Sequence, residues 1–350
     1  MTAGRAAPGA PLVVVIVSFN TRDLLRDCLQ SLCEGGLDGI VGPHVIVVDN
    51  GSTDGSADTV RAAFPWAEVI ESGGNPGYAA ANNLALRAAG YAATPAPTGH
   101  VLLLNPDTIV PRGACTALIG ALEAEPDLGA VGPKLLLGDG SLDRACRRGF
   151  PTPAVSFYRF SGLARLFPRS PRFGRYNMTF LDPDQPADVD SVVGACMLVR
   201  GAAIEEIGLL DERFWMYGED IDWALRLKRA GWRVGYRPAV IVHHVKRAAS
   251  RHSPRARFEF TRAMWLFYDK HYRATAAWWV DIAVRVGLAV RGGPRLAREV
   301  WSARGPRGAS AAPPRTESVR TESVRTEHAR TEPAERLRPS IRPPDGGGAR

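Results

Sequence analysis

Apolar residues fall in short unbroken runs through the first third of the chain: Leu12–Val17, Val45–Val48 and Val101–Leu104. Runs this short, apolar at every position, predict strands buried on both faces. After the first run, Leu24, Leu25, Cys28, Leu29 and Leu32 recur at helical spacing, with Asn20 or Thr21 placed to cap the helix. The spacing predicts a second helix over Tyr78–Ala89. Strands alternating with helices predict an α/β fold, a mostly parallel, doubly wound sheet with helices on both faces. Such sheets bind ligands beyond the carboxyl ends of their strands. The polar segments there are Ser18-Phe19-Asn20, Asp49-Asn50-Gly51-Ser52 and Asn105-Pro106-Asp107, and they are expected to converge on one crevice.

The pattern changes in the middle. Eight arginines between Arg144 and Arg175 interleave with six aromatic rings between Phe150 and Phe173. Sheet-like order resumes at Ser191–Val199. An aromatic segment, Phe214-Trp215-Met216-Tyr217, then precedes a helix opened by Glu219 and Asp220. A strand-like stretch, Ala239–Val242, ends in His243-His244, and Phe258–Trp301 reads as helical and aromatic. From Ser302 the segment Arg-Thr-Glu-Ser-Val repeats and decays, and a five-residue polar repeat cannot bury a core. The expected organisation is a flexible start over 1–10, a nucleotide-binding domain over 11–245, a helical extension over 246–301 and a disordered tail over 302–350.

Composition adds little to the fold and something to the partners. Hydrophobic residues make up 45% of the 350 and charged residues 23%, which suits a globular protein. The net charge of +8 favours anionic partners without choosing among them. Five cysteines with no C-x-x-C pair argue against a disulfide framework or zinc ribbon and for reduced thiols in a cytoplasm. The run Leu12–Val17 is too short for a signal-peptide core, and Ala276–Val290 is too short and too charged to span a bilayer. The active site is therefore expected on the cytoplasmic side. A dehydrogenase should carry G-x-G-x-x-G after its first strand; Ser18-Phe19-Asn20-Thr21 stands there instead.

Transfer of a sugar from a nucleotide-sugar sets three tasks: holding base and ribose, neutralising a leaving diphosphate and deprotonating an acceptor hydroxyl. Asp49, at a strand end, can accept a base N–H or a ribose hydroxyl. Asp107, also beyond a strand, can hold a hard divalent cation against two phosphates. Glu219 and Asp220 open a helix whose dipole favours an ionised carboxylate, the form a general base needs. A histidine of the His243-His244 pair can complete a metal site or donate to the diphosphate. Taken singly, each is as well explained by a turn, a cap or a structural histidine.

As an ordered set they are specific. Val17-Ser18-Phe19-Asn20, Val48-Asp49-Asn50-Gly51-Ser52, Gly74-Asn75-Pro76-Gly77-Tyr78 with Asn82-Asn83, Leu104-Asn105-Pro106-Asp107, Gly194-Ala195-Cys196-Met197, and Asp211 through Trp215, Glu219 and Asp220 resemble the family 2 glycosyltransferases. The likeness is strongest to their bacterial rhamnosyltransferase-like branch and covers roughly residues 11–245. It implies a GT-A-type fold, an inverting mechanism and a nucleotide-sugar donor, first of all dTDP-rhamnose. It implies donor contacts from Ser18, Asn20, Asp49, Asn50, Asn75, Asn82 and Asn105. Asp107 and His243 become ligands to Mg or Mn, Asp220 the base, and Gly194, Ala195, Cys196, Trp215 and Glu219 the acceptor side. It also implies a glycan or lipid-linked acceptor in cell-envelope synthesis, with peripheral contact to an anionic membrane and no nucleic acid. Asn105-Pro106-Asp107 offers one carboxylate where the family's Asp-x-Asp offers two. A catalytically inactive nucleotide-sugar-binding homologue is the alternative, and a basic nucleic-acid-binding protein a weaker one.

Overall fold

The computed structural model describes residues 12–245 and 254–303. The expectations for 1–10, for 246–253 and for the repeat tail beyond Ala303 lie outside the described residues.

All three apolar runs are strands, as β1 (Leu12–Ser18), β2 (His44–Asp49) and β4 (His100–Leu104), and nearly every residue in them is buried. With β3 (Glu68–Glu71) they form a parallel block in the order β3-β2-β1-β4. Helices α1 (Arg22–Ser31), α2 (Ser56–Ala63) and α3 (Tyr78–Ala88) are the crossovers that parallel pairing demands. Thr21 occupies the cap position of α1, but its hydroxyl pairs with Ser18 Oγ at 2.9 Å and does not cap the helix.

Beyond β4 the sheet turns mixed. A short β5 (Thr108–Ile109) and α4 (Ala114–Glu123) lead to β6 (Leu128–Leu137). Helices α5 (Pro153–Phe160) and α6 (Leu163–Leu166) and the short β7 (Ala187–Asp188) follow. Then β8 (Cys196–Val199) inserts antiparallel between β4 and β6. After α7 (Gly201–Ile207) and α8 (Glu219–Arg229), β9 (Arg233–His244) runs parallel to β6 and antiparallel to β5. The long ladders are the parallel ones, and one hydrophobic core spans both halves.

The helical extension is two helices, α9 (Pro254–His271) and α10 (Trp278–Ser302). Ala263 and Phe267 of α9 pack with Phe214, Ile221 and Leu225, which ties the extension to α8. Trp265 and Tyr268 pack with Leu288, Leu296 and Val300 of α10.

Candidate active site

Strand β2 delivers Asp49 to the carboxyl edge of the parallel block, buried. Its Oδ2 accepts the Ser52 N–H at 3.0 Å, and its Oδ1 has no partner. The turn needs Gly51 at φ +82°, where a side chain would also strike the backbone of Gly74. The neighbouring predicted residues brace this corner. Asn50 Nδ2 donates to Asn75 Oδ1 at 3.1 Å, and Asn50 Oδ1 accepts the Ser72 hydroxyl. Asn20, at a left-handed φ of 52°, accepts the Thr53 N–H at 2.8 Å. Ser18 is buried on Thr21. These four are spent on holding the loops, which leaves Asp49 Oδ1 as the atom of this corner with capacity.

A knot around Tyr78 joins the two halves of the sheet. Its hydroxyl donates to Asn105 Oδ1 at 3.2 Å and to the Gly194 carbonyl at 3.1 Å. Its N–H donates to the Trp215 carbonyl at 2.6 Å. This approach requires glycine before it: a Cβ on Gly77, at φ +105°, would sit 2.4 Å from the Trp215 oxygen. Asn82 lies one turn further along α3, buried, with Nδ2 on the Tyr78 carbonyl and Oδ1 unpartnered. Ala195 and Cys196, read from sequence as acceptor-side residues, point into the core, since β8 begins there and pairs Cys196 with Leu104. Only the backbone of Gly194 remains on the site.

Asp107 follows β4, and the histidine beside it is His244, 3.2 Å from Oδ1 to Nε2. The sequence reading placed His243 there. Alternation along β9 corrects it: residue 244 pairs with Thr108 and turns inward, while 243 pairs with Ile109 and is exposed. Asp143 Oδ2 takes His244 Nδ1 at 3.0 Å, which turns Nε2 toward Asp107. A ring oriented by one carboxylate and set beside a second suits a divalent cation. Among the described residues no group of three or more His, Cys, Asp or Glu gathers as a metal cage. A cation here would draw its remaining ligands from phosphate and water.

Glu219 and Asp220 are both buried at the start of α8, after Gly218 at φ +84°. Asp220 is well supplied with donors: Arg148 at 2.5 Å and the Gly194 N–H at 2.9 Å on Oδ2, and the Ile221 N–H at 2.7 Å on Oδ1. Glu219 is not, and its Oε2 has no partner. Burial, and then the Asp220 charge, push the Glu219 carboxyl up to about 8. Burial and the same two carboxylates also raise the Tyr78 hydroxyl. Arg148, Tyr78 and Asp143 are site residues that the sequence reading did not select. Arg148 was one arginine in a run of eight, and its long-range pairings with Ser191 and Asp220 mark it out.

The aromatic residues of the extension divide. Trp265, Phe267 and Tyr268 are core, whereas Trp278 and Trp279 are 76% and 62% exposed. Ile282, Val286 and Val290 continue the exposed stripe along α10 at four-residue spacing. Phe157, Phe160, Leu166 and Phe167 are exposed on α5, α6 and the turn after them. Arg291 lies over the Phe160 ring at 5.0 Å and makes the two tracts contiguous. No Asp or Glu occurs from Arg144 to Tyr176 or from Ile282 to Arg298, so this surface is apolar and basic.

Comparison with known proteins fits this geometry. The profile of Glycosyl transferase family 2 matches residues 13–208, and that of Glycosyl transferase family group 2 matches residues 156–272. The chain is 32% identical over 265 residues to the N-acetylglucosaminyl-diphospho-decaprenol L-rhamnosyltransferase of Mycobacterium tuberculosis, spanning 73% of this chain and 85% of that one. It is 30% identical over 234 residues to rhamnosyltransferase WbbL of Escherichia coli, spanning 66% and 82%. The mannosyltransferase PcManGT of Pyrobaculum calidifontis, solved with GDP-Man and Mn2+, superposes with a TM-score of 0.50 over 86% of this chain and 79% of its own, at 17% identity. That likeness is one of fold.

Proposed function

This chain belongs to glycosyl transferase family 2, and from that premise we propose that it moves one sugar, first of all rhamnose from dTDP-rhamnose, onto a hydroxyl of a lipid-linked glycan acceptor, with inversion. The observation that carries the reading is where unsatisfied polarity lies. Buried polar atoms in folded proteins almost always have partners. Among the buried side-chain atoms without one, Asp49 Oδ1, Asn82 Oδ1 and Glu219 Oε2 belong to residues the sequence motifs single out and Arg148 Nε lies beside them, while His44, Tyr91, His100 and Arg147 hold others elsewhere.

In this mechanism Asp49 Oδ1 accepts an N–H of the pyrimidine base. Asp107 and His244 are the residues that would hold a divalent cation, which supplies positive charge to the leaving diphosphate when bound. Asp220 takes the proton of the acceptor hydroxyl. The acceptor oxygen forms a bond to the anomeric carbon as the bond from that carbon to the diphosphate breaks, and the electron pair leaves with the nucleoside diphosphate. A single displacement inverts the centre; retention by double displacement would need a nucleophilic carboxylate. The lipid-linked acceptor is favoured by the diphospho-decaprenol compound in the name of the Mycobacterium tuberculosis relative and by the apolar, basic surface on α5, α6 and α10, which suits the cytoplasmic face of an anionic membrane.

The test pairs a screen of nucleotide-sugars, read by mass spectrometry with Mn present, with the variant Asp220→Asn. The amide is nearly isosteric and accepts no proton. Expected is retained binding of the nucleoside diphosphate and a loss of transfer on the order of 10² to 10⁴. Transfer within a few-fold of wild type would remove Asp220 from this role.

A further inference from the structure

Two adjacent carboxyls are buried at the first turn of α8, and two like charges in one buried site raise each other's ionisation cost. The dipole of α8 acts on both and cannot assign their roles. The asymmetry comes from elsewhere. Arg148 belongs to the extended segment that pairs with Ser191 through two backbone hydrogen bonds, Arg148 N–H to the Ser191 carbonyl at 2.8 Å and the reverse at 2.9 Å. Gly149 next to it lets the backbone of Arg175 pass where a Cβ would lie 2.4 Å from the Arg175 oxygen. The backbone is thus fixed on both sides. The buried guanidinium is anchored on the Val192 carbonyl at 3.1 Å and reaches Asp220 Oδ2. Burial disfavours the Arg148 charge, yet the Asp220 carboxylate more than restores it.

We propose that Arg148 is a positioning residue that sets the two carboxyls of this pair apart: it holds Asp220 against the Gly194 N–H and leaves Glu219 without that anchor. The inference rests on the reading of Asp220 as the base. Asp220 acts on Glu219 beside it, on Tyr78 of α3 and on Arg148; around these three, Asp222 acts on Glu219, Tyr176 on Arg148 and Asp107 on Tyr78. Arg148 is the cation among them. Glu219, with Oε2 unpartnered, is then the carboxyl of the pair left to meet a sugar hydroxyl.

The test is the pH profile of kcat/KM for Arg148→Met and Arg148→Lys, with Asp220→Asn alongside. Removing an adjacent opposite charge raises a carboxyl pKa by about 1 to 3 units. Expected for Arg148→Met is an acidic limb moved to higher pH by at least about one unit, so that its loss relative to wild type is larger below the limb than on the plateau above it. The limb of Arg148→Lys should stay closer to wild type. A uniform loss at all pH values with the limb unmoved would reduce Arg148 to a structural part. If Asp220→Asn itself keeps transfer, the base reading fails first; if it is inactive and the limb of Arg148→Met is unmoved, this inference fails alone. Should Arg148→Met not fold, carboxyl carbon NMR of the wild-type protein decides. The titration near neutral pH should vanish in Glu219→Gln, and its persistence there would overturn the proposal.

Discussion

Asp107 meets His244 rather than His243 because strand residues alternate and β9 is held in register against β5. Asp143 then decides which ring nitrogen is presented. This makes a residue-level prediction. In calorimetry of dTDP binding with Mn present, Asp107→Ala and His244→Ala should both weaken binding, and His243→Ala should not. Asp143→Asn should lower metal affinity on the order of 10- to 100-fold, the usual effect of losing an outer-shell carboxylate. EDTA should imitate Asp107→Ala. If EDTA leaves dTDP affinity and turnover unchanged, arginine side chains must neutralise the diphosphate and the cation assignment is wrong. The motif Asn105-Pro106-Asp107 was legible in the sequence, but the histidine beside Asp107 was not, because strand pairing chooses between two adjacent histidines.

At the scale of elements, α8 is held by α9 through a buried charged latch as well as by the Phe267 cluster. Asp222 is fully buried and accepts from Lys270 at 2.7 Å, from His271 Nε2–H at 2.6 Å and from Arg226 at 3.0 Å. Burial alone would raise its pKa, but the His271 hydrogen bond and the Arg226 and Lys270 charges outweigh burial and lower it. Asp211 is lowered against its own burial by Arg213 and Lys270. His271 is lowered by burial, and Arg229 beside Nδ1 opposes a second proton there. The signs agree. The depressed carboxylates contribute stability above about pH 4 that is lost as pH falls through their folded values. A histidine kept neutral is destabilising below its unfolded value of about 6.5, where the unfolded chain binds the extra proton. Between pH 7.5 and pH 5.5 the raised Glu219 carboxyl acts in the opposite sense, so the prediction is a difference between proteins. His271→Gln keeps a donor for Asp222 without titrating, so on going from pH 7.5 to pH 5.5 its melting temperature should gain on that of wild type. An unchanged difference between the two proteins over that interval would show that His271 does not report this latch.

For the whole molecule, the exposed surface joining α10 to α5 and α6 has rings, aliphatic side chains and arginines with no acid among them over two long stretches. No helix among the described residues is long and apolar enough to cross a membrane, so attachment through this face would be peripheral. Attraction of about 1 kcal/mol per well-placed arginine makes such binding sensitive to salt. In vesicle flotation the protein should rise with anionic liposomes at low salt and separate at high salt. Trp278→Ser with Trp279→Ser should weaken flotation at low salt while leaving dTDP binding intact. Protein that stays at the bottom under both conditions would point to a soluble acceptor.

The strands β1, β2 and β4, the helix over Tyr78–Ala88 and the acids that open α8 are all written locally. Unbroken apolar runs have nowhere to go but a buried sheet, and polar residues that follow such strands fall at one edge of it. The order of motifs fixed the family for the same reason: each is a short piece of chain with its own turn chemistry. What the chain could not state locally was set by pairing over long distances. The antiparallel entry of β8 between β4 and β6 buries Ala195 and Cys196 and turns the Gly194 N–H onto Asp220. Packing of α9 on α8 takes Phe267, and packing of α10 on α9 takes Trp265 and Tyr268, from any outer surface, while Trp278 and Trp279 stay on it. Arg148 looked like one more basic residue in a basic run; 72 positions of chain separate it from Asp220, and only the folded sheet brings a guanidinium to that carboxylate.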